Sequence, residues 1–118
     1  MEIVVDRHIE DVFDYLADPR VEPRWRARVV SVEQVEGDGP GPGARYDVVA
    51  RAGRLRRPRH TTRTCIAWER PARIAWRDDD GAETTFALES VWTATRITHI
   101  GGAERGDLGD LKRTLERG

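Results

Sequence analysis

Cysteine and lysine are almost missing from this sequence: Cys65 and Lys112 are the single examples in 118 residues. One thiol rules out an internal disulfide and agrees with a reducing, cytoplasmic setting. Arginine supplies the other basic side chains, and with plentiful Ala and Gly this reads as GC-rich coding. No apolar run approaches the ~20 residues that cross a bilayer. The opening segment Met1–Asp6 is charged within two residues, so no signal peptide is expected either. A formal charge of −1 argues against a general nucleic-acid binder. There is no glycine-rich phosphate loop followed by Lys and Ser/Thr, because the stretch Gly37–Gly43 lacks the strand–helix setting such a loop requires. A G-x-S-x-G or similar nucleophile motif is absent. His8, His60, His99 and Cys65 are too scattered for a zinc site. No metal or cofactor is expected, and Asp78-Asp79-Asp80 reads as a solvated turn.

What is present fits one soluble domain spanning residues 1–118, with 38% hydrophobic and 35% charged side chains. Folding a chain of this length buries roughly two-thirds of its surface, enough for one modest core. Ile3–Val5 is a β-branched run. Asp6 is placed to cap a helix whose apolar face is Ile9, Val12, Phe13 and Leu16, at i, i+3, i+4 and i+7. Asp18-Pro19 ends that helix and starts a second, short one, which Pro23 limits before Trp25.

From Val29 the pattern is β. Strands are expected at Val29–Glu36, Arg45–Arg51, His60–Trp68, Arg73–Arg77, around Thr84–Leu88, and at Thr95–Ile100. The Gly/Pro loop 37–43, the turn at Ala52-Gly53, Pro71, Asp80-Gly81 and Ser90–Thr93 separate them. Six strands joined by short connections predict an antiparallel meander. Asp107 is expected to open a closing helix with the stripe Leu108, Leu111 and Leu115. Over Leu108–Arg117 that helix would be about 15 Å long.

The order of elements resembles the START-like, or helix-grip (SRPBCC), superfamily, within its polyketide cyclase/dehydrase-like group. Val5-Asp6 leads into Asp11-Val12-Phe13-Asp14-Tyr15-Leu16-Ala17-Asp18-Pro19, and Glu22-Pro23-Arg24-Trp25 follows. Gly43-Ala44-Arg45-Tyr46, the stretch Trp68–Trp76, Thr95-Arg96-Ile97-Thr98 and Leu111-Lys112 continue the likeness over nearly the whole chain. The resemblance implies an α+β fold: a curved antiparallel sheet of about seven strands, two short helices at one end, and a C-terminal helix across the concave face. It also implies a cavity for an apolar molecule, lipid- or polyketide-like. Fold alone does not settle function. Two departures stand out: a closing helix that reads as short, and Val91-Trp92 in a hairpin turn where relatives carry Gly or Asp.

Strand alternation places Tyr46, Val48, Thr62, Thr64, Ile66, Trp68, Ile74, Trp76, Phe86 and Leu88 inward, with Ile97 and His99. The expected ligand-lining set is Trp68, Trp76, Phe86, Leu88, Val48, Ile66, Ile97 and Leu111. His99 and Tyr46 are the candidates for acid–base chemistry or polar recognition. An imidazole in an apolar cavity could move a proton near neutral pH, and a phenol could hold a carbonyl, as a cyclisation or dehydration would require. The leading expectation is binding of an apolar or aromatic small molecule. A cyclase/dehydratase-type enzyme and a macromolecular interaction module are the alternatives. The basic run Arg54–His60 reads as a soluble hairpin tip whose charges discourage edge pairing. Trp92, in its turn, points to a symmetric homodimer, oriented by the arginine-rich edge against the Asp78–Asp80 turn of a second copy.

Overall fold

The computed structural model describes residues 1–51, 57–101 and 105–117. Seven strands form one antiparallel sheet: β1 (Glu2–Val5), β2 (Val29–Glu36), β3 (Arg45–Ala50), β4 (Arg59–Glu69), β5 (Arg73–Asp78), β6 (Glu83–Val91) and β7 (Ala94–Ile100). Their order is β1-β7-β6-β5-β4-β3-β2. The meander therefore runs without a crossover from β2 to β7, and β1 adds to its far edge. Helix α1 (Ile9–Leu16) and a 3-10 helix at Pro19–Arg24 lie between β1 and β2, and α2 (Arg105–Arg117) closes the chain.

The helices follow the expected apolar stripes. Val12, Phe13 and Leu16 of α1 are buried, and Ile9 packs beside them. On α2, Leu108, Leu111 and Leu115 enter the same core. Two boundaries differ from expectation. Residue His8, not Asp6, occupies the N-cap of α1, without a side-chain cap, while the Asp6 amide donates to Glu116 Oε2 of α2. The closing helix begins before Asp107 and has 13 residues, about 20 Å at 1.5 Å per residue, so the expectation of a ten-residue lid is corrected. By contrast Asp18 does cap the 3-10 helix, its Oδ1 accepting from the Arg20 amide at 3.1 Å.

One strand does not alternate as expected. The β4–β5 register steps from Cys65↔Trp76 to Ala67↔Ala75, then Trp68↔Ile74. Two residues of β4 thus oppose one of β5, a β-bulge, and the side-chain phase inverts across it. Before the bulge Arg63 and Cys65 are the buried residues, and after it Trp68 turns to the core, against Phe13. Ile66, placed inward by the sequence, is 39% exposed. With Thr62 and Thr64 it borders the opposite face of the sheet, among Arg45, Arg77 and Asp79. Those three inward assignments are therefore corrected. The other expected inward residues of the sheet hold: Tyr46, Val48, Ile74, Trp76, Phe86, Leu88, Ile97 and His99 are all buried.

Two apolar clusters result. The larger joins α1, α2, Trp25, Cys65, Ile74, Trp76, Phe86, Leu88 and Ile97, and the smaller holds Val29, Ala44, Tyr46 and Val48. At the far end of β7, Gly101 has φ +113°, and a Cβ there would lie 2.5 Å from the Glu83 carbonyl oxygen. Glycine lets β6 and β7 stay this close.

Candidate functional site

Between the two clusters the concave face is polar. The 3-10 helix is short because Asp18-Pro19 starts it and Pro23 lies inside it. The turn that follows brings Arg26 four residues beyond Glu22, on the same side. Arg26 Nη1 donates to Glu22 Oε1 at 3.1 Å, and Arg63 Nη1 of β4 donates to Glu22 Oε2 at 2.6 Å. Arg63 Nε reaches Asp78 Oδ1 of β5 at 3.4 Å, and Arg26 Nε lies 3.6 Å from Asp107 Oδ2 of α2. Glu22, Arg26, Arg63 and Asp107 are all buried. A chain of charges therefore ties the 3-10 helix, the middle of the sheet and the start of the closing helix together.

This network covers a layer of aromatic rings. The Arg26 guanidinium lies 5.4 Å from the centroid of Trp25, and that of Arg63 lies 5.9 Å from Trp76. Both indoles meet Phe86 edge-on, at 6.3 and 5.9 Å between centroids, and Phe86 stands 4.8 Å from His99. On the other side of the guanidiniums is a cavity of about 250 Å³. Val29, Val48 and Ala50 form its apolar wall. Thr61, Thr84, Asp78 and the arginines 26, 28, 51, 59 and 63 form the rest.

Burial sets the ionisation of the titratable groups. It raises the Asp78 carboxyl above its usual value, with Arg63 pulling the other way. For Arg63 burial disfavours the charge, but the carboxylates of Glu22 and Asp78 outweigh it and hold the guanidinium ionised. The His99 imidazole is lowered to about 4, first by burial and then by the charges of Arg26 and the N-terminus, against the pull of Asp107. His99 is therefore neutral at pH 7, and its Nε2 is buried without a hydrogen-bond partner. Tyr46 is pushed up to about 12, mainly by burial and next by the charge of Asp18, and its hydroxyl is likewise buried without a partner.

The expected site residues are thus distributed rather than gathered. Trp68, Trp76, Phe86, Leu88, Ile97 and Leu111 sit in or against the larger core cluster, filled by side chains from α1 and α2. Val48 alone of that set borders the 250 Å³ cavity. Ile66 is on the opposite face. His99 lies on β7 and Tyr46 on β3, with β6, β5 and β4 between them, so the fold does not bring the two together. The Asp78–Asp80 turn, the expected partner of a second copy's arginine edge, also has arginine contacts within the chain. Within the chain Arg63 meets Asp78, and Arg59 Nη2 lies 3.6 Å from Asp80 Oδ2. Ala52-Gly53 and Arg54-Leu55-Arg56 lie outside the described residues.

Sequence reasoning passed over Glu22, Arg26, Arg63, Asp78 and Asp107 as a group. The i, i+4 spacing of Glu22 and Arg26 was a usable signal. The inward turn of Arg63 was not, since the bulge that sets its phase has no sequence mark. Among the described residues, no group of three or more His, Cys, Asp or Glu side chains is placed to hold a metal ion. No helix among them is long and apolar enough to cross a membrane.

Solved structures similar to this one share its fold at low sequence identity. The KanY protein has a TM-score of 0.76 and 13% identity, over 98% of this chain and 94% of that one. A second, Ara h 8.0201, has a TM-score of 0.71 and 14% identity over 100% of this chain and 96% of that one. The di-domain ARO/CYC StfQ of the steffimycin biosynthetic pathway matches with a TM-score of 0.73 and 12% identity, over 99% of this chain and 44% of its own. No curated protein matches the chain in sequence. The family model described as polyketide cyclase / dehydrase and lipid transport matches residues 1–116, and the chain belongs to that family.

Proposed function

We propose that this protein binds a small amphipathic molecule in the 250 Å³ cavity on its concave face. The observation that carries the reading is the cavity itself: a wall of Val29, Val48 and Ala50 facing Thr61, Thr84 and guanidiniums. Its volume is somewhat below the roughly 300–1,000 Å³ of drug-sized sites. That favours a ligand of one or two rings over a long-chain lipid. The family description, which names both cyclisation chemistry and lipid transport, agrees with an organic ligand and leaves its identity open.

Binding is favoured over catalysis because the acid–base candidates stand apart. A reaction beside a carbonyl needs a base and an acid within hydrogen-bond reach of one substrate. Here three strands separate His99 from Tyr46, and an imidazole lowered to about 4 is a weak base. The core aromatics Trp68, Trp76 and Phe86 support the site from behind in this reading. A cytoplasmic location belongs to the same proposal, consistent with the single free, buried thiol of Cys65.

The test is a titration of small aromatic compounds followed by backbone amide shifts, with Val48→Phe as the control. Binding should move the amides of Val48, Ala50, Thr61 and Thr84, and the larger ring should block it while the fold persists. Shifts confined to other regions, or equal binding by Val48→Phe, would reject the site. A second copy of the chain is the proposed partner for Trp92, which is 97% exposed. Sedimentation that shows only monomer at high concentration would remove that proposal.

A further inference from the structure

We propose that the ligand of this cavity is a small organic acid whose carboxylate is held by the arginines that border it, Arg26 among them. This rests on the reading of the cavity as a ligand site and narrows it to a chemical class. Three observations lead to it independently of one another.

The first is charge. Among the described residues, five guanidiniums and one carboxylate, that of Asp78, border the cavity, and Glu22, Asp107 and Asp80 offset part of that charge from outside it. Arginine cannot lose its proton in a protein, so those charges persist at any physiological pH. A cationic ligand would meet them in a small, partly dehydrated space, where electrostatic interactions are stronger than in bulk water.

The second is an uncommitted donor. Arg26 is only 7% exposed. Its Nη1 is bonded to Glu22 and its Nε faces Asp107, but its Nη2 is buried with no acceptor. Buried polar groups are nearly always hydrogen-bonded, and an exception calls for an explanation. A charged donor is best answered by an anionic oxygen, because charge-assisted bonds are roughly twice as strong as neutral ones. The rest of the guanidinium is fixed by two carboxylates and lies against the Trp25 ring. The Nη2 group is therefore held in place before any ligand arrives, which reduces the ordering cost of binding.

The third is the opposite wall. Val29, Val48 and Ala50 offer no polar side-chain atom, so a bare inorganic anion would leave that wall without a partner. A carboxylate carried on a short apolar or aromatic body satisfies both sides at once.

Matched probes test the inference. The acid 3-phenylpropionate and its neutral isostere 3-phenylpropionamide are titrated into the whole protein, and the amides of Val48, Ala50, Thr61 and Thr84 are followed. The acid should bind about tenfold more tightly than the amide, and added salt should narrow the gap. Arg26→Gln should abolish the preference. Because that change could unfold the chain by removing the contacts of Arg26 with Glu22 and Asp107, Arg51→Gln serves as a second variant at an exposed position. It should weaken the acid severalfold and the amide much less. Equal affinities for acid and amide in the wild-type protein would overturn the inference while leaving the cavity a ligand site. Displacement of the acid by an equal concentration of inorganic phosphate would overturn it too, in favour of a simple anion. If neither organic probe moves those amides, the ligand-site reading itself fails.

Discussion

Arg63 donates to Glu22 at 2.6 Å across 41 positions of sequence, and both side chains are buried. The pair joins the middle of the sheet to the 3-10 helix at the point where the packed core gives way to the cavity. Glu22 also accepts from Arg26, so removing its carboxylate takes a partner from two buried guanidiniums at once, leaving each with one weaker contact, to Asp78 or Asp107. Breaking a buried ion pair from one side costs about 3–5 kcal/mol. Glu22→Ala should therefore destabilise the protein by at least about 3 kcal/mol, measured by denaturant unfolding. Adding Arg63→Met should recover part of that loss, because an uncompensated charge is then removed from the interior. A double variant as unstable as the sum of both single variants would mean that the pair does not act as a unit.

A second prediction concerns acid. His99 has its ordinary value of 6.5 in the unfolded chain and is lowered to about 4 in the fold. Between those values the unfolded state binds a proton that the folded state refuses, so stability must fall as pH falls from about 6.5 to about 4. Below the folded value both states are protonated and this contribution stops changing. Each unit of difference is worth roughly 1.4 kcal/mol, so the full effect is on the order of 3–4 kcal/mol. His99→Gln should flatten that limb of the stability curve. The imidazole resonances of the folded protein should titrate near pH 4, and a midpoint near 6.5 would refute the assignment.

The bulge in β4 makes a third. Trp68 packs edge-on against Phe13 at 5.1 Å, while Ile66, two residues earlier, faces away from the core and is 39% exposed. Trp68→Ala should cost roughly 3 kcal/mol by loss of core contacts. Ile66→Ser should fall within about 0.5 kcal/mol of the parent, as surface substitutions do. Comparable losses at both positions would place the bulge elsewhere.

That strand also shows how far the sequence could be read. Elements were legible wherever one period ran unbroken: the stripe Ile9, Val12, Phe13, Leu16 on α1, the leucines of α2, and the alternation of Ile74 with Trp76 on β5. The family resemblance supplied the curvature and the place of β1, which no local pattern encodes. Inside β4 the polar residues Thr62 and Thr64 and the cation Arg63 gave no apolar contrast from which to infer a phase, and a bulge flips every residue on one side of it. The site was hidden for the same reason. Arginine is the commonest charged side chain here, and most of its copies among the described residues are solvent-exposed. Only three-dimensional packing distinguishes Arg26 and Arg63, whose burial depends on carboxylates from Glu22, Asp78 and Asp107 in three separate elements.

The final prediction concerns the β6–β7 turn, where Trp92 has φ 58° and is 97% exposed. A non-glycine residue in the left-handed region costs roughly 1–2 kcal/mol, and tight hairpins favour glycine where φ is positive. An exposed indole returns almost none of that cost by burial within its own chain. Trp92→Gly relieves the strain but adds freedom to the unfolded chain, worth about 0.5–1 kcal/mol in the other direction. The net expectation is a gain of up to about 1 kcal/mol in dilute solution, where only single chains are present. Thr93→Gly, a neighbouring position without positive φ, should lose stability and so controls for glycine itself. If a second copy covers Trp92, the parent should gain stability as concentration rises and Trp92→Gly should not. The two stability curves would then cross. A loss of stability in Trp92→Gly at high dilution would show that the ring contributes within one chain after all.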